Sequence, residues 1–115
     1  MEISQRTIGD LMILDASGEI DLYSSPKLRN ELITLIEQRA NGRPLLVNLG
    51  AVRYIDSSGL ATLIEGRQKA QQKNVRLALS SMSEHVRDVF RLARLDQIFE
   101  VYDSEQEAIR GLEGA

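Results

Sequence analysis

Tyr54-Ile55-Asp56-Ser57-Ser58-Gly59-Leu60 is the stretch on which the reading of the whole chain depends. The apolar run Leu45-Leu46-Val47-Asn48-Leu49 comes before it, and the helical pattern Leu60, Leu63, Ile64 comes after. A buried strand has therefore ended, and a helix begins, at Asp56-Ser57-Ser58-Gly59. Three small polar residues and a glycine supply capping groups there, next to free backbone N–H groups at the positive end of a helix dipole. A hydroxyl in that turn is exposed, and the geometry suits an anion. The commoner meaning of such a pattern is a plain helix cap. Four adjacent small or polar residues exceed what one cap needs, a hint that a serine of this turn is a phosphorylation switch on a protein-binding surface.

Upstream, residues 2–8 and 11–20 have the pattern of two strands, and Gly9-Asp10 between them signals a hairpin turn. Leu11-Met12-Ile13-Leu14 is apolar on both faces, as an interior strand would be. Ser25-Pro26 then opens a helix, with Ser25 as N-cap and Pro26 in the first helical position. Leu28, Leu32, Leu35 and Ile36 form its apolar stripe, Asn41-Gly42 stops it, and Pro44 leads into a central strand over 45–49.

Downstream, the second helix runs from about Ser57 to Lys73, and Val75 to Leu79 is a strand. Ser81-x-x-Glu84 has the form of a capping box for a third helix, with Val86, Val89, Phe90 and Ala93 on one face. Ile98 to Tyr102 is a last short strand. Ser104-x-x-Glu107 opens a final helix carrying Ala108, Ile109 and Leu112, and Gly114-Ala115 is a frayed end. The order β-β-α-β-α-β-α-β-α predicts an α/β fold: a mixed, mostly parallel sheet with an N-terminal hairpin, flanked by about four helices. Sites in open α/β sheets lie outside the carboxyl ends of strands. Two predicted turns fall there, Gly18 to Ser25 and Gly50 to Gly59. If their strands are neighbours, Asp21 and Ser57 lie close together.

The chain has 115 residues, 43% hydrophobic and 27% charged, which fits one globular domain over 1–115. A net charge of −3 argues against direct nucleic-acid binding. Arg87, Arg91 and Arg94 form the one loose basic cluster, with the spacing of a solvated helix face. With no cysteine, disulfides, thiolate catalysis and Cys-ligated zinc are excluded. The N-terminus has no secretory pattern and no apolar run is long enough to span a bilayer, so no membrane insertion and a cytoplasmic location are expected. Nothing in the pattern sets the oligomeric state.

Enzymatic readings find little support. A serine nucleophile elbow needs Gly-x-Ser-x-Gly, whereas position 55 is Ile and the glycine follows Ser58. The one histidine, His85, falls in the first turn of the third helix, where a solvated or cap-adjacent role is usual. Asp15, Glu19 and Asp21 could share a strand face, but scattered carboxylates at an exposed strand end are commoner than a metal site. No phosphate-binding loop is present, and no cofactor is expected.

Gly18-Glu19-Ile20-Asp21, the strand Leu45 to Leu49, Asp56-Ser57-Ser58-Gly59-Leu60 and Val86-x-x-Val89-Phe90 together resemble a STAS domain. The resemblance is to the anti-sigma factor antagonists of bacteria and covers nearly the whole chain. It implies a non-enzymatic partner switch. The unphosphorylated antagonist binds an anti-sigma factor that is also a serine kinase of the histidine-kinase-like ATPase class, and the sigma factor is released. Phosphorylation by that kinase ends the binding, and a PP2C-type phosphatase restores the serine. The family's acceptor maps onto Ser57, and its contact in the Gly-Glu-Leu/Ile-Asp element maps onto Asp21. Tyr23, Ser24, Tyr54, Asp56, Ser58, Gly59 and Leu60 are the further candidate partner-binding residues, with Leu60, Tyr23 and Tyr54 as an apolar rim. Phosphoserine oxygens are expected to be held by backbone N–H groups of the helix, beside Asp56 and near Asp21. Many members carry Gly where this chain has Ala61. The alternative within the family is a STAS module that controls a non-sigma target or serves a transporter.

Overall fold

The computed structural model describes residues 1–40 and 42–113. In chain order the elements are β1 (Glu2–Ile8), β2 (Leu11–Ile20), α1 (Ser25–Gln38), β3 (Leu45–Ile55), α2 (Ser57–Gln72), β4 (Leu77–Ser80) and α3 (Glu84–Leu92). A short 3₁₀ turn at Leu95–Gln97, β5 (Glu100–Tyr102) and α4 (Glu105–Glu113) complete them. The five strands form one sheet in the order β1-β2-β3-β4-β5. β1 is antiparallel to β2, and the other neighbours pair in parallel. This is the mixed sheet with an N-terminal hairpin that the sequence predicts.

Sequential order explains the layering. Each crossover between adjacent parallel strands turns with the same hand, so α1, α2 and α3 fall on one face of the sheet. Their Leu28, Leu32, Leu35, Ile36, Leu63, Val86 and Phe90 join Leu14, Val47, Leu49 and Leu79 in the main core. α4 follows the last strand, has no crossover to make, and covers the other face. Its Ala108 and Leu112 pack on Leu11, Ile13, Leu46 and Ala78. Ile13, Leu46 and Ala78 lie in register on three adjacent strands. β2 is thus covered on both faces, as its apolar start requires.

Several boundaries differ from the sequence reading. Residues 50–55 are not a turn: β3 continues to Ile55, because Ser17 to Ile20 of β2 offers a pairing edge along Ala51 to Ile55. Register shifts after Asp15 and Gly18 absorb the mismatch. The N-cap of α1 is Ser24, with Ser25 already helical and Pro26 one residue further in. Ser83, not Ser81, caps α3: its Oγ accepts from Val86 N–H at 3.3 Å. Ser81 has φ of 69° and donates its N–H to Tyr102 O, so it belongs to the sheet edge. β4 begins at Leu77 and β5 at Glu100, the residues between α3 and β5 being taken by the 3₁₀ turn. Ala93 is exposed at the end of α3 rather than on its apolar face. Ser104 does cap α4, accepting from Glu107 N–H at 3.1 Å. Asn41 and the Gly114-Ala115 end lie outside the described residues; Gly42 has φ of 110°, which suits a chain leaving a helix.

Candidate functional site

The parallel pairing of β2 and β3 brings their carboxyl ends side by side. Asp56 N–H donates to Ile20 O at 3.1 Å, which ties the start of α2 to the end of β2. Asp21 and the Asp56-Ser57 turn are therefore neighbours, as expected. Gly59 is buried here because nothing larger fits. A Cβ on it would lie 2.6 Å from Ile55 Cγ1, 2.7 Å from Ile20 Cγ2 and 3.0 Å from Ile20 O. The glycine lets the first turn of α2 press directly on the two strand ends.

Asp56 is the N-cap of α2, with extended backbone at φ −109°. Its Oδ1 accepts from Ser58 N–H at 2.9 Å and Gly59 N–H at 3.2 Å. Leu60 N–H donates to Asp56 O at 3.0 Å. In this state the Asp56 carboxylate thus engages two N–H groups of the first turn of α2, those of Ser58 and Gly59. Ser57 sits at the first helical position, exposed, and its hydroxyl has no hydrogen bond among the described residues. Ser58 is half-buried. The two serines thus differ in access, which the sequence alone leaves open.

On the β2 side, Asp21 organises its own turn. Its Oδ1 accepts from the N–H groups of Tyr23 and Ser24, both at 3.0 Å. Ser24 Oγ donates to Glu19 O at 2.8 Å and accepts from Asp21 N–H at 2.9 Å. The Ser24 backbone bond, with further help from Tyr23, holds the Asp21 carboxyl below its ordinary range. The turn carries Tyr23 and Leu22 outward at 91% and 67% exposure. Leu22 was not among the sequence candidates; its signal was an apolar pair in a segment that could not be a strand or helix. Leu60 is half-buried and packs on the main core, so it contributes less rim than expected.

Tyr54 is 44% exposed and stacks on His85, with ring centroids 5.9 Å apart and planes 13° from parallel. His85 is exposed in the first turn of α3, as predicted, but its contact with the site comes only from the fold. Arg87 and Arg91 pair with Asp103 and Asp88, and Arg94 has left-handed backbone, so the three do not form one basic patch. Among the described residues no group of His, Cys, Asp and Glu could hold a metal ion. Among the described residues no helix is long and apolar enough to cross a membrane.

A model of the STAS domain matches residues 2–108. The chain belongs to the STAS domain family. One relative of this STAS chain is the anti-sigma-B factor antagonist of Bacillus subtilis, 33% identical over 88 residues, which cover 76% of this chain and 78% of the relative. An anti-sigma factor antagonist from Mycobacterium paratuberculosis superposes with a TM-score of 0.87 at 20% identity, over 97% of this chain and 93% of that one. The antagonist SpoIIAA has been solved in two forms. The unphosphorylated form matches with a TM-score of 0.80 at 23% identity, over 99% and 98% of the two chains. The phosphorylated form, from Bacillus, matches with a TM-score of 0.71 at 21% identity, over 96% and 99%. These two comparisons show the same fold.

Proposed function

We propose that this STAS domain is an anti-sigma factor antagonist whose partner binding is ended by phosphorylation of Ser57. The observation that carries the reading is the contrast at the start of α2. Ser57 presents an exposed hydroxyl without an internal partner, on a helix start held rigid by Asp56 and Gly59. The names of its relatives support the antagonist role, and SpoIIAA is known in a phosphorylated form.

In this reading the unphosphorylated surface is the binding-competent one. Tyr23 and Leu22 supply apolar area on the β2 side of the site, and the Tyr54–His85 stack supplies more at the end of β3, two residues before Asp56. Asp21, Ser24, Asp56, Ser58 and Gly59 hold that surface in shape, and Leu60 anchors it to the core. Phosphorylation adds about 1.5 to 2 negative charges at Ser57. With Ser58 and Gly59 N–H already bonded to the Asp56 carboxylate, the phosphate meets a negative neighbour and points toward the partner. Binding is lost by repulsion and desolvation cost at the interface, while the fold stays intact. The partners are an anti-sigma factor that is also a histidine-kinase-like serine kinase, and a PP2C-type phosphatase. The protein acts as substrate and binding module, not enzyme, holds no cofactor, and works in the cytoplasm.

The test is peptide mass spectrometry after incubation with ATP and a serine kinase of this class from the same organism. The expected result is one phosphate on Ser57, removed by a PP2C phosphatase. Phosphate on neither Ser57 nor Ser58 would overturn the switch and favour a STAS module acting without phosphorylation.

A further inference from the structure

The two edges of the sheet are unlike. β5 offers only three residues, whereas β1 offers seven, all but one of them exposed. β1 pairs with β2 without a bulge over its whole length, from Glu2↔Ser17 to Ile8↔Leu11. It contains no proline and no lysine. An edge that is long and regular, with one charge of each sign at Glu2 and Arg6, is a template for another strand of matching charge pattern.

The hairpin determines which groups point outward. Ile8 and Leu11 flank the two-residue turn Gly9-Asp10, so they form a hydrogen-bonded pair. Alternation then gives Arg6, Ser4 and Glu2 to β2. Met12 N–H agrees, pointing the other way to Pro44 O at 3.5 Å. The N–H and C=O groups of Ile3, Gln5 and Thr7 therefore face away from the sheet.

We infer that β1 pairs antiparallel with β1 of a second copy of this chain, across a two-fold axis at Ser4. In that register Ile3 and Gln5 of opposite copies exchange the outward hydrogen bonds, which both residues have available. Ser4 faces Ser4, and Glu2 faces Arg6 across a non-hydrogen-bonded position, where side chains are closest. The strand Glu2-Ile3-Ser4-Gln5-Arg6 is thus complementary in charge to its own reverse, as an isologous contact requires. Arg6 makes four hydrogen bonds, to Asp15 and Glu105, of the five its guanidinium can donate. One N–H remains for Glu2 of the second copy. The axis reverses the remaining strands of the second copy, so the two Ser57 surfaces lie at opposite ends of a continuous sheet, both uncovered. This dimer stands independently of the switch reading.

Light scattering across a dilution series tests it, with the cysteine-free chain as background. The expected mass rises toward twice 12.9 kDa with concentration. Ser4→Cys places two thiols across the axis at a Cα separation of about 4.5 Å, inside the disulfide range of about 4.4–6.8 Å. It should cross-link on mild oxidation much faster than Gln68→Cys, an exposed position on α2. Gln5→Pro removes an outward N–H and no bond to β2, and should give a monomer. Glu2→Arg, which touches only an exposed side chain, should weaken the dimer should the proline variant fold poorly. A mass of 12.9 kDa at every concentration, equal cross-linking of the two cysteine variants, or a dimer that survives both Gln5→Pro and Glu2→Arg would overturn the proposal.

Discussion

At Gly59, steric need and helix propensity oppose each other. Alanine would favour the helix by about 1 kcal/mol. Its methyl would meet two isoleucine side chains and the Ile20 carbonyl, and that carbonyl also accepts Asp56 N–H. Overpacking costs about 1–3 kcal/mol, and the backbone atom cannot move without loosening the turn. Gly59→Ala should therefore lower stability by up to about 2 kcal/mol net in urea unfolding; an unchanged midpoint would mean the strand ends yield easily. At Ser57 the predictions concern binding, not folding. Ser57→Ala should bind the partner kinase and accept no phosphate. Ser57→Glu should bind at least about tenfold more weakly, roughly 1.4 kcal/mol, with an unchanged melting temperature. Equal affinity for the acidic variant would count against repulsion as the cause. The Asp-Ser-Ser-Gly element was legible because cap residues and glycine sit at a strand-to-helix switch. That Ser57 is exposed and Ser58 half-buried was not, since the distinction depends on how α2 tilts against β2.

The turn ahead of α1 shows how an element starts without the cap its sequence suggests. Ser25-Pro26 looks like N-cap and first residue, yet Asp21 four residues earlier captures the chain. Ser25 N–H and Oγ both donate to Asp21 O, so the helix grows out of the turn. Asp21→Ala should raise amide exchange at Tyr23 and Ser24, whereas Asp21→Asn keeps an accepting oxygen and should leave exchange near wild type. Partner binding measured on the same pair separates shape from charge. Weak binding by both variants indicates a direct charge contact, and weak binding by the alanine variant alone indicates turn geometry. β3 shows the opposite effect. Gly50 suggests a stop, but the available edge of β2 carries the strand on to Ile55, and this places Tyr54 against His85. A propensity signal lost to a tertiary pairing.

For the molecule as a whole, one polar cluster links elements distant in sequence. Arg6 of β1 bridges Asp15 of β2 and Glu105 of α4, and Asn48 of β3 donates to Glu105 at 2.8 Å. The Arg6 bond, with help from Asn48, holds the Glu105 carboxyl below its ordinary 4.5. A carboxyl whose folded pKa lies below its unfolded one contributes stability above the unfolded value, lost as pH falls through the folded one. Glu65, held down by Arg29 on the neighbouring helix, and Asp21 act in the same direction. Stability should therefore be level near neutrality and decline below about pH 4.5. Glu105→Gln should flatten that decline; an identical acid limb in the variant would show that Glu105 is not held down in solution.

Local chemistry was enough to determine the number and order of the strands and α-helices, the mostly parallel sheet with its leading hairpin, and the position of the Asp56-Ser57 turn; the 3₁₀ turn at Leu95–Gln97 was not legible. Periodicity, caps and turn residues act over a few neighbours, and such signals are present in the sequence itself. Tertiary structure alone decided how far β3 runs, which helix covers which face, how closely the first turn of α2 presses on the end of β2, and that His85 joins the site. Each of these depends on atoms far apart in the chain competing for the same hydrogen bond or the same space, and that competition is settled only when the sheet is assembled.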